Sequence, residues 1–153
     1  MNLLAAHLND AGLLFTDGER ILCREPGYAL LGDDGLITGR EAWASASLEP
    51  RRIQNRYWND LSTTALTDVR FTHLTAADLV SQQLEALWKR VAKPGDKLAL
   101  AVPGYMSTDN LGLLLGIAMD LDIPVVAMVD AAVAATRRQY TNAVPVHIDL
   151  SLH

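Results

Sequence analysis

Apolar residues along this chain recur at two spacings, and the alternation between them outlines the fold. The run at 98–102 is too short for a core helix and ends at Pro103-Gly104, so it predicts a buried strand, as does 125–129. Between these runs, Leu111, Leu114, Leu115, Ala118 and Leu121 recur at helical spacing behind a possible cap at Ser107 or Thr108. This predicts a helix over 108–121, stopped by Asp122-Ile123-Pro124. Asp130 then sets a carboxylate at the positive end of an alanine-rich helix over 131–139. Upstream, Val80, Leu84, Leu87, Trp88 and Val91 form one stripe of a helix over 76–91, with Asp78 in its first turn and Lys93-Pro94-Gly95-Asp96 at its end. Strand, helix, strand, helix implies right-handed crossovers and a parallel sheet covered by helices.

The first part of the chain has a different period. Residues 3–8, 12–16 and 20–24 read as strands, the last two joined at Asp17-Gly18, a hairpin signal. Residues 145–150 read as a final strand. These six strands are expected in one sheet, an antiparallel meander followed by crossover units. Residues 25–74 are less regular and form a small insertion in a single domain spanning 1–153. Within it, Pro26-Gly27 and Asp33-Asp34-Gly35 mark turns around a strand at 28–31, residues 36–38 return as its partner, and Thr38-Gly39-Arg40-Glu41-Ala42 opens a short helix. Trp43, Tyr57 and Trp58 are expected to anchor it.

Composition narrows the function classes. A chain of 153 residues that is 50% hydrophobic and 20% charged has material for one sizeable core. Its net charge of −5 with dispersed acids argues against nucleic acid or an anionic membrane as partner. The cluster Arg51, Arg52, Arg56, Tyr57 and Trp58 reads as an intramolecular or interface surface rather than a nucleic-acid patch. The single cysteine, Cys23, pairs with no other in this chain; it reads as an inert core thiol and fits a cytoplasmic protein. Leu3-Leu4-Ala5-Ala6 lacks the basic flank of a signal peptide, and the apolar face near 111–119 is bounded by Asp109 and Asp120 and too short to span a bilayer. Gly112 and Gly116 are expected to let their helix pack closely on the sheet.

Several short motifs carry a resemblance. Val102-Pro103-Gly104-Tyr105, a helix, Ile123-Pro124-Val125-Val126 and then Asp130-Ala131-Ala132-Val133-Ala134-Ala135 resemble the first lobe of heat-shock-chaperone ATPases. Thr38-Gly39-Arg40-Glu41-Ala42 followed by Glu49-Pro50, and Asp149-Leu150 near the end, match further positions in order. The resemblance implies the actin, sugar-kinase and chaperone superfamily. Its lobes are α/β and ribonuclease-H-like: a mixed sheet with an antiparallel N-terminal meander, then strand–helix crossovers.

It also implies a site. The family's first phosphate turn falls on Asn9, Asp10, Ala11 and Gly12, its catalytic carboxylates on Asp130 and Asp149, and its magnesium ligands on Asp10 and Asp149. The chain departs from the pattern in four places. His7 stands where the family has Asp, Asn9 where it has the first glycine, and Ser151, Leu152 and His153 where the second turn has glycines; residues 51–58, soon after Pro50, hold no Lys, although Arg56 offers a cation. A phosphate turn needs glycine because the backbone must approach the anion without a Cβ. The resemblance therefore implies ATP and Mg as ligands, weak or absent in this chain, and a missing second lobe or another protein domain as partner. Two hypotheses follow, a degenerate ATPase lobe and a non-catalytic interaction domain on the same scaffold. A two-metal nuclease is a more distant third, since no basic groove is evident.

Overall fold

Leu4, Ala6 and Leu8 alternate with Leu3, Ala5 and His7, and the period of two gives a strand with one buried side, β1 (Leu3–Asn9). The computed structural model describes residues 2–9, 11–32, 35–67, 72–136 and 146. β2 (Gly12–Thr16) and β3 (Ile21–Pro26) continue from β1 as an antiparallel meander. β7 (Lys97–Val102) pairs parallel with β1, and β8 (Val125–Asp130) parallel with β7. The five strands lie in the order β3-β2-β1-β7-β8 in one mixed sheet. The residues expected at 145–150 as a sixth strand lie outside the described residues.

Between these strands run α2 (Ala76–Val91) and α3 (Thr108–Asp120), followed after β8 by α4 (Ala131–Ala135). Each start is capped as its sequence suggests. Thr75 and Asp78 form a reciprocal capping box on α2, Ser107 Oγ accepts from Asn110 N–H on α3, and Asp130 caps α4. Beyond Ala135 the expected helix to 139 passes out of the described residues. Leu4, Ala6, Leu8, Leu98 and Leu100 share one core with Leu79, Val80, Leu84, Leu114 and Ala118, so α2 and α3 cover one face of the sheet.

Three details differ from the periodic reading. In α3 Ile117 is buried while Leu115 is exposed, and a Cβ added at Gly112 or Gly116 would meet nothing within 4 Å. The glycine pair faces open space and does not serve packing on the sheet. β8 was expected to be buried, but Val126 is 52% and Val129 42% exposed, because β8 is an edge strand with a single neighbour among the described residues. The connection from β2 to β3 is longer than a two-residue turn: Asp17 Oδ1 accepts from Glu19 N–H and Arg20 N–H, and the register shifts between Phe15 and Thr16.

The insertion is more regular than its sequence suggested. β4 (Ala29–Gly32) pairs with β5 (Gly35–Thr38) and with the two-residue β6 (Ile53–Gln54), in the order β5-β4-β6, and α1 (Arg40–Ser45) follows β5. Two polar ties bind it to α2. Gln83, 1% exposed, accepts from Tyr57 OH at 2.6 Å and Trp58 Nε1–H at 2.7 Å, and its Nε2 donates to Pro26 O at 2.8 Å. Burial pushes the Tyr57 phenol well above its ordinary value. Glu25, also buried, accepts from Arg90 Nη2 at 2.8 Å and from Arg40 N–H at 2.9 Å, supplying α1 with the cap its own residues lack. Arg90 is held above its usual pKa by the Cys23 thiol and by Glu25. Trp43 takes no part in this anchoring: it is 56% exposed, while Tyr57 and Trp58 are buried. Two of the clustered arginines pair locally, Arg52 with Glu49 and Arg56 with Asp60.

Candidate functional site

Parallel neighbours bring the C-terminal ends of β1, β7 and β8 to one edge, the place where α/β sheets bind ligands. His7 is level with Ala101, and Val102 with Asp130. With strands about 4.8 Å apart, Asp130 lies about 10 Å across the sheet from β1. Asn9, Ala11, Gly12 and Asp130 are thus at the same edge of the fold, whereas Asp10 and Asp149 lie outside the described residues.

The turn after β1 closes on itself. Asn9 Oδ1 accepts from Ala11 N–H at 2.9 Å, and Ala11 O accepts from Gly27 N–H at 2.8 Å. A phosphate turn works by offering free backbone N–H groups, and here the Ala11 amide is already taken by the Asn9 side chain. Gly12 has a packing reason to be glycine. Its φ is 138°, and a Cβ there would stand 2.1 Å from Glu25 O and 2.7 Å from Gly27 N. The hairpin needs that close approach to the β3 backbone regardless of any ligand.

Asp130 is similarly engaged. Its Oδ1 accepts from Ala132 N–H at 2.7 Å and Val133 N–H at 3.2 Å, and its Oδ2 lies so near Gly104 that a Cβ there would be 2.8 Å away. This explains the glycine of Val102-Pro103-Gly104-Tyr105, which makes room for a carboxylate of the next strand. Among the described residues, no three His, Cys, Asp or Glu side chains are grouped to share a metal ion. Within the described residues, the Ala11 amide and Asp130 Oδ1 are thus both committed to bonds inside the chain.

A cleft of about 550 Å³ opens beside this turn. His7, Asn9, Gly12 and Leu14 form its floor, Arg24 and Pro26 come from β3, and Arg40 and Trp43 from α1. Leu14 pairs with both His7 and Arg24, so these three side chains share the sheet face opposite α2 and α3. Arg40 Nη2 donates to Arg24 O at 3.1 Å. Arg24, Arg40 and Trp43 were not singled out for a site from the sequence. The available signal was the strand period, which sets Arg24 in line with His7 once the hairpin register is known.

The strand order, with an antiparallel first half and a parallel second half, defines a ribonuclease-H-like α/β lobe. Comparison with solved structures bears out the actin-like fold. MreB5 of Spiroplasma citri bound to ADP superposes with a TM-score of 0.63 at 16% identity, over 85% of this chain and 38% of that one. The same protein bound to AMPPNP gives 0.60 at 16%, over 85% and 38%. The non-polymerising A278D mutant of MamK bound to AMPPNP gives 0.57 at 16%, over 82% and 40%. The chain therefore spans about two fifths of the length of these neighbours. No family model matches the chain, and no curated protein does. Among the described residues no helix is long and apolar enough to cross a membrane.

Proposed function

We propose that the chain is the first lobe of an actin-like or heat-shock-chaperone-like ATPase in which the phosphate site has degenerated, so that this chain by itself neither holds Mg-ATP usefully nor turns it over. The observation that carries this reading is the bond from Ala11 N–H to Asn9 Oδ1, which consumes an amide that a nucleotide would need. Asp130, engaged at the start of α4, adds to it. The fold's neighbours are nucleotide-bound actin-like proteins, which makes nucleotide binding the property to test. The partner in this reading is a second lobe or another protein domain, and the setting is cytoplasmic, in keeping with the free thiol of Cys23.

A ligand that binds the folded state stabilises it by RT ln(1 + [L]/Kd), so about 1 mM Mg-ATP on a micromolar site adds roughly 4 kcal/mol. For a domain of this size that is a rise in melting temperature of about 8 to 16 °C. We expect no such rise and no phosphate release. A rise of several degrees that Asp149→Ala abolishes would overturn the reading and make this a working half-site. A second reading, an interaction domain on the same scaffold, is favoured by the outward side of α3, where Leu115 and Met119 are exposed beside Gly112 and Gly116.

A further inference from the structure

We propose that the face of the five-stranded sheet opposite α2 and α3 docks an amphipathic helix of a partner protein, one whose apolar stripe is flanked by Asp and Glu. The inference rests on the reading of this chain as a lobe that works with another protein domain, and it names the chemistry of that domain. Strand register assembles the surface. Ala127, Ala99, Ala5, Thr16 and Ile21 form one row across β8, β7, β1, β2 and β3. The next row sets Val129 and Ala101 beside His7, Leu14 and Arg24, and Leu3 pairs with Lys97. Cross-strand partners point to the same side of a sheet, so these side chains share one face. Leu3 is 56%, Ile21 58% and Val129 42% exposed, which leaves three large apolar side chains of that face open to solvent. Parallel strands are ordinarily covered by helices on both faces, and α2 and α3 cover only the other one.

Shape and charge select the occupant. Ala5, Ala99, Ala101 and Ala127 make a low floor at the centre, with the larger Leu3, Ile21 and Val129 around it. Such a floor receives long apolar side chains from a partner. Five strands about 4.8 Å apart span about 19 Å, enough for one helix about 10 to 12 Å across. The charge is one-sided. Arg24, Lys97 and His7 lie on this face, whereas the acids of the five strands, Glu25 and Asp130, pair with the buried Leu13 and Val102 and so belong to the other. A second copy brings the same cations, and two-fold pairing would bury both sets with no acid between them. Residues 137–153 carry Arg137, Arg138, His147 and His153 against Asp149 alone, so this part of the chain has the wrong sign as well. A helix with carboxylates beside its apolar stripe complements both the floor and its cations.

The probe is a fluorescein-labelled peptide of about 16 residues, long enough to form four helical turns, with a Leu and Ala stripe flanked by Glu. Its counterpart has Lys in place of every Glu. Anisotropy is followed on titration with the whole chain, and circular dichroism reports helix formation in the peptide. We expect the acidic peptide to bind with a Kd of about 100 μM or tighter, to become helical, and to exceed the basic peptide in affinity by about tenfold or more at low salt. Ala99→Gln and, on the edge strand, Ala127→Gln should each weaken binding about tenfold while the melting temperature stays near that of the parent chain. The double variant Arg24→Glu/Lys97→Glu should reverse the preference between the peptides. No binding of the acidic peptide at millimolar concentration, equal binding of the two peptides, or binding that both glutamine variants leave intact overturns the proposal. A dimer in sedimentation that Ala127→Gln dissociates overturns it too, because a second copy then holds the face. None of these outcomes bears on the degenerate phosphate turn, which stands or falls on the Mg-ATP melting assay.

Discussion

Gln83 is the residue whose loss the fold should feel most sharply for its size. One amide joins α2 to the insertion through Tyr57 and Trp58 and to the end of β3 through Pro26. Gln83→Leu keeps the volume and removes every polar atom. The Tyr57 hydroxyl has an alternative acceptor in Tyr28 O at 3.2 Å, so it is largely rescued. Trp58 Nε1–H and Pro26 O have none in the network and are left unsatisfied. Each orphaned buried group costs about 1 to 3 kcal/mol, and the extra apolar burial of Leu returns part of that, so a net loss of about 3 kcal/mol is expected. With a urea slope near 2 kcal/mol per molar, the unfolding midpoint falls by about 1.5 M. Urea unfolding followed by circular dichroism measures this. The double variant Gln83→Leu/Trp58→Phe supplies the control, because removing the orphaned indole donor should recover about 1 kcal/mol or more relative to additivity. A midpoint change below about 0.3 M, or strict additivity in the double variant, would show that the network contributes little and that this account of the tie is wrong.

Three other perturbations test separate parts of the structure. Gly12→Ala forces a Cβ to within 2.1 Å of Glu25 O at a φ of 138°, so it should cost about 3 kcal/mol or more, seen as a collapse in melting temperature or soluble yield. In contrast, Gly112→Ala and Gly116→Ala meet nothing within 4 Å and gain helix propensity, so each should stabilise the chain by about 0.5 to 1 kcal/mol in urea unfolding; destabilisation would mean that α3 packs on that side. Asp96, whose carboxylate accepts from Asn2 N–H and Lys93 N–H, is held below its usual pKa by those amides. Its folded value lies below its unfolded one, so its stabilisation is present above the unfolded pKa and is lost as pH falls through the folded value. The gap in melting temperature between the parent and Asp96→Asn should therefore close on going from neutral to acid pH, and a gap that persists would refute the assignment.

The sheet was legible because its strands carry strong local signals. The alternation at Leu4, Ala6 and Leu8 and the short runs at 98–102 and 125–129 each sit between clear turn residues. Caps at Thr75, Ser107 and Asp130 were equally local, since a cap is written within four residues. What escaped depended on partners distant in sequence. Helical spacing alone does not say which of Leu115 and Ile117 faces the core, because α3 is apolar nearly all round. The exposure of Trp43 and the tie through Gln83 depend on how the insertion meets α2, 25 residues beyond Trp58. At the site, Asp130 was recognisable as a helix start, whereas the cleft needed the pairing of Leu14 with His7 and Arg24, a register that no single segment contains.

β1 occupies the centre of the sheet, and one of its two neighbours, β7, lies 94 residues further along the chain, where Leu3 faces Lys97. During synthesis at about 5 to 20 residues per second, the meander is made about 4 to 15 s before β7 exists. For that interval the β1 backbone presents an unpaired edge beside Leu4, Ala6 and Leu8, with α3 not yet made to cover them. A nascent chain that has not reached Lys97 therefore carries β1 with one edge unpaired, the kind of edge on which other chains add as strands.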